Sequence, residues 1–298
     1  MEKILVTFLG TGNAVPTEKR NHTAILISYK NENVLVDCGE GTQRQFRIVG
    51  RSPHKLTRIL ITHWHGDHIL GLPGLFHTLA LTGYSKNLGV YGPKNTRYFM
   101  GLIEKLTAYK IKLDIKEISS GKVFENSEIK IESLQMDHGT STLAYSFVVK
   151  DKMRLDKRKI RKLKLPNSPL LKKLQEGKDV IINGKKVKSS DVCYLEEGRK
   201  VTIILDTKIN SQAIKIAKGS DLLICESTFS SEEEKLALEY KHLTARQAAE
   251  IAKKSKSKNL VLTHISQRYE NDIKRIENEA RAIFKNVKVV KDFEKIEV

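Results

Sequence analysis

The sequence predicts an α/β protein, because short apolar strands alternate along it with amphipathic helices. Strand-like runs rich in Val, Ile and Leu occupy residues 4–9, 201–205 and 260–263, and helical periodicity occupies residues 96–108 and 274–284. With 298 residues, of which 40% are hydrophobic, the chain can bury a substantial core. One large domain and two fused half-domains both fit this length.

Local signals place the remaining elements that matter for function. Two further strands, residues 23–28 and 33–37, are joined by a polar hairpin and followed by a glycine-rich turn. A helix should start at Thr42, whose hydroxyl can cap it. A second helix should extend to about residue 81 from residue 69, and Thr244 should cap a helix that ends near residue 254.

The strongest chemical signal is the run Thr62-His63-Trp64-His65-Gly66-Asp67-His68, which follows a short strand-like segment. Because residues two apart in extended backbone share a side, His63 and His65 can converge on one cation. Gly66 permits a turn, after which Asp67 and His68 face a different point. Three imidazoles and one carboxylate can therefore serve two adjacent metal ions, and Zn²⁺ suits nitrogen and oxygen ligands.

The spacing H-x-H-x-D-H resembles the signature of the metallo-β-lactamase superfamily. This resemblance implies an αββα sandwich, in which two mixed β-sheets are flanked by helices. It also implies further ligands that lie far along the chain. His138, Asp206 and His264 stand in the expected order, and each follows an apolar strand-like run.

Two other segments, residues 10–23 and 36–45, are similar to motifs of ribonuclease Z, the branch of that superfamily that processes tRNA 3′ ends. On this resemblance Arg20 is a candidate substrate-binding residue, although it could instead pair with a structural carboxylate. Asp37 and Glu40 are candidates to orient metal-bound histidines, with a plain helix cap and turn as the alternative for Glu40.

The resemblance assigns roles to the predicted site. It implies two zinc ions per subunit, Asp67 as the base for an attacking hydroxide, and His242 with its orienting carboxylate Glu226 as the general acid. The products would be RNA with a 3′-OH and a trailer with a 5′-phosphate. The first ion would be bound by His63, His65 and His138 and the second by Asp67, His68 and His264, with Asp206 between them.

The segment at residues 151–199 differs in character from the rest of the predicted single domain, residues 1–298. It is too basic to be core, and ribonuclease Z carries at this position an inserted arm that binds tRNA outside the active site. The segment lacks glycine at Ser168 and Lys172, where the family's arm usually has it, and a solvated loop is the alternative reading. The candidates to bind backbone phosphate are Lys157, Arg158, Lys162, Lys172 and Lys173.

Composition restricts the location and the partners. A net charge of +18 favours a polyanion such as precursor tRNA, although surface lysines can also serve solubility alone. No signal peptide and no apolar stretch of the roughly 18 residues needed to span a membrane is evident. Three cysteines without metal-binding spacing favour a reduced, cytoplasmic setting. The resemblance implies a homodimer.

Two other functions remain open at this stage. The same site could serve a binuclear zinc phosphodiesterase that acts on small or generic diesters, in which case the basic segment is only a solvated loop. The chain could also be a catalytically inert, basic RNA-binding protein, in which case purified protein would contain no zinc.

Overall fold

The computed structural model describes residues 2–107, 111–182 and 184–298. Its contacts divide the chain into two compact units. The larger unit comprises Met1–Glu125, Lys130–Phe147 and Lys200–Val298, and the smaller unit comprises Asn126–Ile129 and Val148–Arg199.

The first sheet of the larger unit is mixed. Its described strands follow the order β18-β1-β2-β3-β4-β5-β6, with antiparallel pairing from β18 to β3 and parallel pairing from β3 to β6. The strands are β1 Leu5–Gly10, β2 Ala24–Tyr29, β3 Glu32–Val36, β4 Arg58–Leu60, β5 Leu88–Gly92, β6 Leu113–Glu117 and β18 Lys295–Glu297. The associated helices are α1 Thr42–Ile48, α2 Gly66–Ile69, α3 Leu72–Leu81 and α4 Thr96–Thr107, with a 3₁₀ turn at Pro53–Lys55.

The second sheet is also mixed, and its described strands follow the order β17-β16-β15-β14-β9-β8-β7. The strands are β7 Gly121–Glu125, β8 Ile129–Asp137, β9 Ser141–Val149, β14 Arg199–Ile204, β15 Leu222–Glu226, β16 Leu260–Thr263 and β17 Val287–Val289. The helices are α8 Ser211–Ala217, α9 Glu234–Tyr240, α10 Ala245–Lys254 and α11 Ile273–Arg281, with 3₁₀ turns at Ser231–Glu233 and Gln267–Tyr269.

Both sheets are buried on two faces, which is the property of a layered sandwich. In the first sheet Leu26 and Leu35 pack with Phe46 of α1 and Leu75 of α3. Side chains alternate across a strand, so Ile25, which precedes Leu26, points to the opposite face of the sheet. It too is inaccessible to solvent. In the second sheet the residues that pack against α8, α10 and α11 include Ile204, Leu223, Leu260 and Val287. The predicted fold class, two mixed sheets flanked by helices, is confirmed.

The predicted elements differ from the observed ones in two places near the site. The segment predicted as one helix from residue 69 is two helices, α2 and α3, and the histidine-rich run ends inside α2. Helix α1 begins at Thr42 as predicted, but its N-cap is Gly41, in a left-handed conformation. The Thr42 hydroxyl donates to the Gly39 carbonyl at 2.6 Å instead of capping the helix, so that part of the prediction is wrong.

Other boundaries agree with the sequence. Thr244 forms a capping box with Gln247 at the start of α10, as predicted from its position. Helix α4 is described to Thr107, and the last residue predicted for it, residue 108, lies outside the described residues. None of the helices in the described part of the chain combines the length and the apolar character needed to cross a bilayer.

The smaller unit has a compact interior of its own. Strands β10 Lys152–Leu155 and β13 Cys193–Glu196 pair with each other, as do β11 Val180–Ile182 and β12 Lys185–Val187. Its helices are α5 Lys157–Lys162, α6 Leu170–Gln175 and α7 Ser189–Val192. Its apolar cluster contains Leu174, Val180, Ile182, Val187, Val192 and Cys193. The segment is therefore an ordered small fold and not only a solvated loop.

The topology of the larger unit gathers the predicted site. Parallel strands place their carboxyl ends at one edge of a sheet. In the first sheet β4 ends just before His63, and in the second sheet β14 and β16 end just before Asp206 and His264. The glycine-rich turn after β3 lies against the histidine-rich run. A Cβ added to Gly39 would lie 2.7 Å from the backbone oxygen of Asp67, so only glycine fits this approach.

Candidate metal centre

The structure brings all seven predicted metal ligands together in two adjoining groups. Nitrogen and oxygen atoms that could bind one ion lie within 4.8 Å of one another in each group. One group holds His63, His65, His138 and Asp206, and the other holds Asp67, His68 and His264.

Asp206 lies between these groups and presents one carboxylate oxygen to each. Its Oδ2 lies 3.5 Å from Nε2 of His63 and 3.4 Å from Nε2 of His138. Its Oδ1 lies 3.4 Å from Nε2 of His68 and 3.2 Å from Nε2 of His264. This is the placement that a carboxylate needs to bridge two ions.

Unpartnered polar atoms at the centre show that the residues fit bound metal. Among the described residues, Nε2 of His63 and Oδ1 of Asp206 are buried without a hydrogen-bond partner. Nε2 of His68 also faces Nε2 of His264 at 3.2 Å. Nδ1 of His68 donates to the Asp37 carboxylate at 2.6 Å, so in the neutral ring Nε2 has only a lone pair. Buried acceptors that face one another are unfavourable unless a cation lies among them.

The other ring nitrogens of these histidines are held by neighbouring groups. Nδ1 of His138 donates to the backbone carbonyl of Lys241 at 2.9 Å, and Nδ1 of His264 lies 3.1 Å from the hydroxyl of Thr228. The Asp37 carboxylate that holds His68 also accepts from the backbone N–H of Thr62, at 2.7 Å. Such contacts fix each ring with Nε2 directed at the centre. The prediction that Asp37 orients a histidine agrees with this geometry, whereas the Glu40 side chain is exposed.

Electrostatics favour positive charge at the same point. Burial and the neighbouring ring of His68 hold the pKa of His63 well below its usual value. Burial acts to lower the pKa of His68, but the carboxylates of Asp206 and Asp37 raise it well above its usual value, so without a cation a proton on Nε2 takes the position that a metal ion would occupy. Burial acts to raise the pKa of Asp206, but the imidazoles of His264 and His68 hold it well below its usual range. An ionised carboxylate among imidazoles is a donor set suited to Zn²⁺.

His242 and Glu226 form a buried ion pair beside the second group. Nδ1 of His242 lies 3.1 Å from both carboxylate oxygens of Glu226, which is fully buried. Glu226 also accepts from the backbone N–H of Thr207 and from the Thr228 hydroxyl, each at 2.7 Å. Burial acts to lower the pKa of His242, but Glu226 and Asp206 raise it to about 9. The buried carboxylate therefore favours the protonated form of the ring, which is the form that a proton donor needs.

An open cavity of about 370 Å³ gives access to this chemistry. Its lining includes His65, Asp67, His138, Asp206 and His242, so it contains members of both groups and the proton donor. The rest of its lining comes from residues 13–15, from Thr228, Phe229 and Tyr240, and from residues 266–268. A substrate in this cavity can contact the candidate ligands and the His242 ring at the same time.

Comparisons with known proteins identify the family to which this chain belongs. A family model described as Anti-Pycsar protein Apyc1 matches residues 4–161, a range that ends before Asp206, Glu226, His242 and His264. The ribonuclease Z of Methanothermobacter thermautotrophicus is 39% identical over 98% of this chain and 96% of its own length. The chain belongs to the ribonuclease Z family.

Solved structures agree with that assignment. The short form of human tRNase Z is 26% identical, and the match covers 98% of each chain with a TM-score of 0.72. The metallo-β-lactamase fold protein YhfI of Bacillus subtilis is 19% identical over 100% of each chain with a TM-score of 0.73, a likeness that shows the fold alone. The prediction of an endoribonuclease of the ribonuclease Z family with a metallo-β-lactamase fold is confirmed.

Arg20 is a predicted substrate-binding residue that the structure buries and that does not line the cavity. The residue is 4% exposed, and its Nη1 donates to the Thr11 hydroxyl and to the Val290 carbonyl, both at 2.7 Å. A guanidinium bound in this way cannot reach a phosphate in the cavity. The structure therefore does not support substrate binding by Arg20, and its guanidinium bonds a hydroxyl and a carbonyl in place of the structural carboxylate expected as the alternative.

The predicted phosphate-binding residues of the smaller unit are all accessible. Lys157, Arg158 and Lys162 are exposed on α5, whose N-cap Asp156 accepts from the backbone N–H groups of Arg158 and Lys159. Lys172 and Lys173 are exposed on α6. Within the described residues, only Arg158 of these five has an ion-pair partner, Asp156 at 3.9 Å. The positive charges of α5 and α6 are therefore available to an anion.

Sequence reasoning missed Thr228 and the backbone of Lys241. The Thr228 hydroxyl donates to Glu226 and lies next to His264, so it links the ion pair to a candidate metal ligand. Lys241 adopts a left-handed conformation at the end of α9 and turns its carbonyl toward His138. A Glu-x-Thr triplet at a strand end was a visible signal for the first, but no sequence signal marks the second.

Proposed function

We propose that this protein is a zinc-dependent endoribonuclease that removes the 3′ trailer from precursor tRNA, leaving a 3′-OH on the tRNA and a 5′-phosphate on the trailer. The observation that carries the proposal is that one cavity is lined by members of both groups of candidate metal ligands and by His242, whose pKa is raised by its buried carboxylate partner. Membership of the ribonuclease Z family supports precursor tRNA as the substrate.

Two zinc ions per subunit, when bound, would supply an activated water and neutralise charge that develops on the phosphate oxygens. The protein's own groups would manage the protons. Asp67, held by the backbone N–H of Ala14 at 3.1 Å, would accept the proton of the attacking water. His242, oriented by Glu226, would donate its proton to the departing ribose 3′ oxygen as the phosphorus–oxygen bond breaks.

The smaller unit would bind the body of the tRNA through backbone phosphates. The segment from residue 151 to 199 supplies exposed lysines and arginines on α5 and α6, and residues 150–190 contain no aromatic side chain for base stacking.

We further propose a homodimer in the cytoplasm. The family resemblance supports the dimer, and three buried cysteines, all of them free, fit a reducing compartment.

The direct test is to incubate zinc-loaded protein with a precursor tRNA labelled at both ends. Cleavage next to the tRNA 3′ end, with a 3′-OH and a 5′-phosphate as the new termini, is the expected result. Zinc content measured on the same sample should approach two ions per chain. Zinc-free protein that still binds RNA but does not cut it would instead favour the inert RNA-binding alternative.

A second test separates precursor tRNA from small diester substrates. Lys152 pairs with Glu196 across β10 and β13, so a short glycine linker from Asp151 to Glu197 can replace the smaller unit's main part. The shortened enzyme should lose most of its kcat/KM for precursor tRNA and keep its rate on bis(p-nitrophenyl) phosphate. Equal losses on both substrates would contradict the proposed role of this unit.

A further inference from the structure

One wall of the cavity is formed by a cluster of aromatic and guanidinium groups that the mechanism above does not use. The rings of Phe229 and Tyr240 are nearly parallel, with an interplanar angle of 21° and a centroid separation of 6.5 Å. The guanidinium carbon of Arg268 lies 5.8 Å from the centroid of the Phe229 ring. All three residues line the cavity that holds the candidate metal ligands. We call Phe229, Tyr240 and Arg268 the stacking wall.

The wall is held in place by the same segments that build the catalytic centre. The backbone N–H of Phe229 donates to the Leu243 carbonyl at 3.3 Å, and its carbonyl accepts from the N–H of Ala245 at 3.0 Å. Arg268 is fixed by an ion pair with Glu233 at 2.7 Å. A ligand that stacks here therefore meets groups that are already ordered, which reduces the entropic cost of binding.

Two of the three wall residues, Tyr240 and Arg268, are exposed, which fits a surface that binds a ligand. Phe229 is 6% exposed and forms the floor, whereas Tyr240 is 56% exposed at the end of α9. Aromatic rings combined with an arginine are the groups on which nucleobases stack, because every base has a π-face and a guanidinium is planar. The Phe229 ring has no hydrogen-bonding group, so contact with it cannot distinguish one base from another.

We propose that the stacking wall binds the base of the nucleotide on the 5′ side of the scissile phosphate, whatever its identity. This inference rests on the proposed function, in which His242 donates to the 3′ oxygen of that same nucleotide. The His242 ring centroid lies 6.0 Å from that of Phe229, so the ribose that presents its 3′ oxygen to His242 is the sugar next to the wall. The base on that ribose is then the one within reach of Phe229 and Tyr240.

A cycle that combines a protein change with a substrate change tests this contact. The protein variants are Tyr240→Ala and Tyr240→Phe. The substrates are a precursor tRNA with its normal nucleotide 5′ to the cut, the same RNA with an abasic residue there, and one with the abasic residue 3′ to the cut. The quantity measured is kcat/KM for cleavage by zinc-loaded enzyme.

Removing either partner of a stack should cost about 10-fold, and removing both should cost little more than removing one. Tyr240→Ala should therefore cleave normal RNA about 10-fold less well than wild type and show almost no further loss on RNA abasic at the 5′ position. Tyr240→Phe should retain the wild-type rate, because its ring remains. Tyr98→Ala is the matched control, since Tyr98 is 65% exposed on α4 and does not line the cavity.

Three results would overturn the inference. Losses that multiply when Tyr240→Ala meets the 5′ abasic RNA would show that the ring and this base do not interact. Losses that do not multiply when Tyr240→Ala meets the 3′ abasic RNA would show that the wall binds the base on the 3′ side of the cut instead. If wild-type enzyme does not cleave precursor tRNA at all, the proposed function is wrong and the inference fails with it. That failure is seen before any variant is made.

Discussion

Asp206 presents Oδ2 to Nε2 of His63 at 3.5 Å and Oδ1 to Nε2 of His264 at 3.2 Å. One carboxylate therefore faces ligands that come from the ends of two different strands in two different sheets, β4 and β16. Both sheets of the larger unit therefore supply side chains to the candidate metal centre. Removal of the carboxylate should disturb both groups of ligands at once.

The first prediction concerns Asp206→Asn. An amide has one acceptor oxygen in place of two and no charge, so we expect the variant to lose at least one zinc ion. Because two bound ions would together supply several kcal/mol of transition-state stabilisation, cleavage should fall by roughly 10³-fold or more. Zinc content by elemental analysis and single-turnover cleavage of precursor tRNA would measure these effects.

Asp114→Asn is the matched control for that change. Asp114 is a partly exposed aspartate on β6 that pairs with Lys116 at 3.0 Å, and surface pairs of this kind contribute little. It should keep full zinc content and activity. An Asp206→Asn enzyme with two zinc ions and normal cleavage would refute the bridging role.

The second prediction concerns the proton donor. Loss of the imidazole in His242→Ala should slow cleavage of precursor tRNA by about 10²–10⁴-fold, because the ribose 3′ oxygen is a poor leaving group without a proton. p-Nitrophenolate leaves without one, so the same variant should cleave bis(p-nitrophenyl) phosphate at nearly the wild-type rate. Steady-state rates on both substrates, with zinc content measured in parallel, decide the result.

Glu226→Gln provides the companion measurement for His242. The amide keeps a hydrogen-bond acceptor near the ring but removes the negative charge that supports its protonated form. It should therefore show the same selective loss on RNA, smaller than that of His242→Ala. Equal slowing of both substrates by His242→Ala would mean that His242 serves the metal centre and not the leaving group.

The local part of the site could be predicted from sequence, and the distant part could not be predicted from the residues alone. The run from His63 to His68 lies on one turn, so its spacing by itself indicated two metals. His138, Asp206 and His264 were found only because a family resemblance supplied their order, since no local pattern shows which strand ends meet. That Asp206 divides its two oxygens between the groups depends on the relative position of two sheets.

Two of the predictions that disagree with the structure, those for Arg20 and Thr42, have a common physical origin. Arg20 was assigned from the family resemblance and Thr42 from its side-chain type, but their hydrogen bonds go to partners that sequence does not reveal. Arg20 donates to the carbonyl of Val290, which is 270 residues away along the chain. Thr42 donates to Gly39 because the preceding Gly41 has a φ of 75° and itself occupies the cap position. Polar side chains in tight loops are the positions where sequence reasoning is weakest.

The third prediction concerns Thr228, whose hydroxyl links Glu226 to His264. Thr228→Val removes that hydroxyl with little change of shape, so Nδ1 of His264 loses one of its two hydrogen-bond partners, the Asn13 amide at 3.2 Å being the other, and the ring is held less firmly in the metal-binding orientation. Changes of this kind lower metal affinity by about 10–100-fold. Competition for zinc with a chromophoric chelator would measure the change.

Two neighbouring substitutions make the Thr228 test specific. Thr228→Ser keeps the hydroxyl and should bind zinc as wild type does. Ser227→Ala removes an adjacent buried hydroxyl that has no hydrogen-bond partner among the described residues, so it should also be neutral. Weakened zinc binding in all three variants would indicate a general effect on the loop and would contradict a specific role for Thr228.

The fourth prediction concerns the buried network around Arg20. Asp292 accepts from the Thr11 hydroxyl and from the backbone N–H of Asn21, each at 2.7 Å. Burial raises the pKa of Asp292 to about 6, although these hydrogen bonds and Arg20 act to lower it. Arg20 itself lies in a setting where burial lowers its pKa, partly offset by Glu270 and Asp292. The folded protein therefore binds a proton at Asp292 more tightly than the unfolded chain does.

This difference sets the sign of a pH effect on stability. A carboxyl whose pKa is raised by folding stabilises the folded state fully below its unfolded value of 3.8, and the contribution is lost as the pH rises through about 6. Asp292→Asn removes the titrating carboxyl. The free energy of unfolding of wild type minus that of the variant therefore isolates the contribution of Asp292. That difference in stability should fall by about 1 kcal/mol between pH 5 and pH 7.5, seen as a few degrees in the difference between their Tm values at fixed zinc. A difference that is constant or that grows with pH would show that Asp292 is already ionised in the folded protein at pH 5.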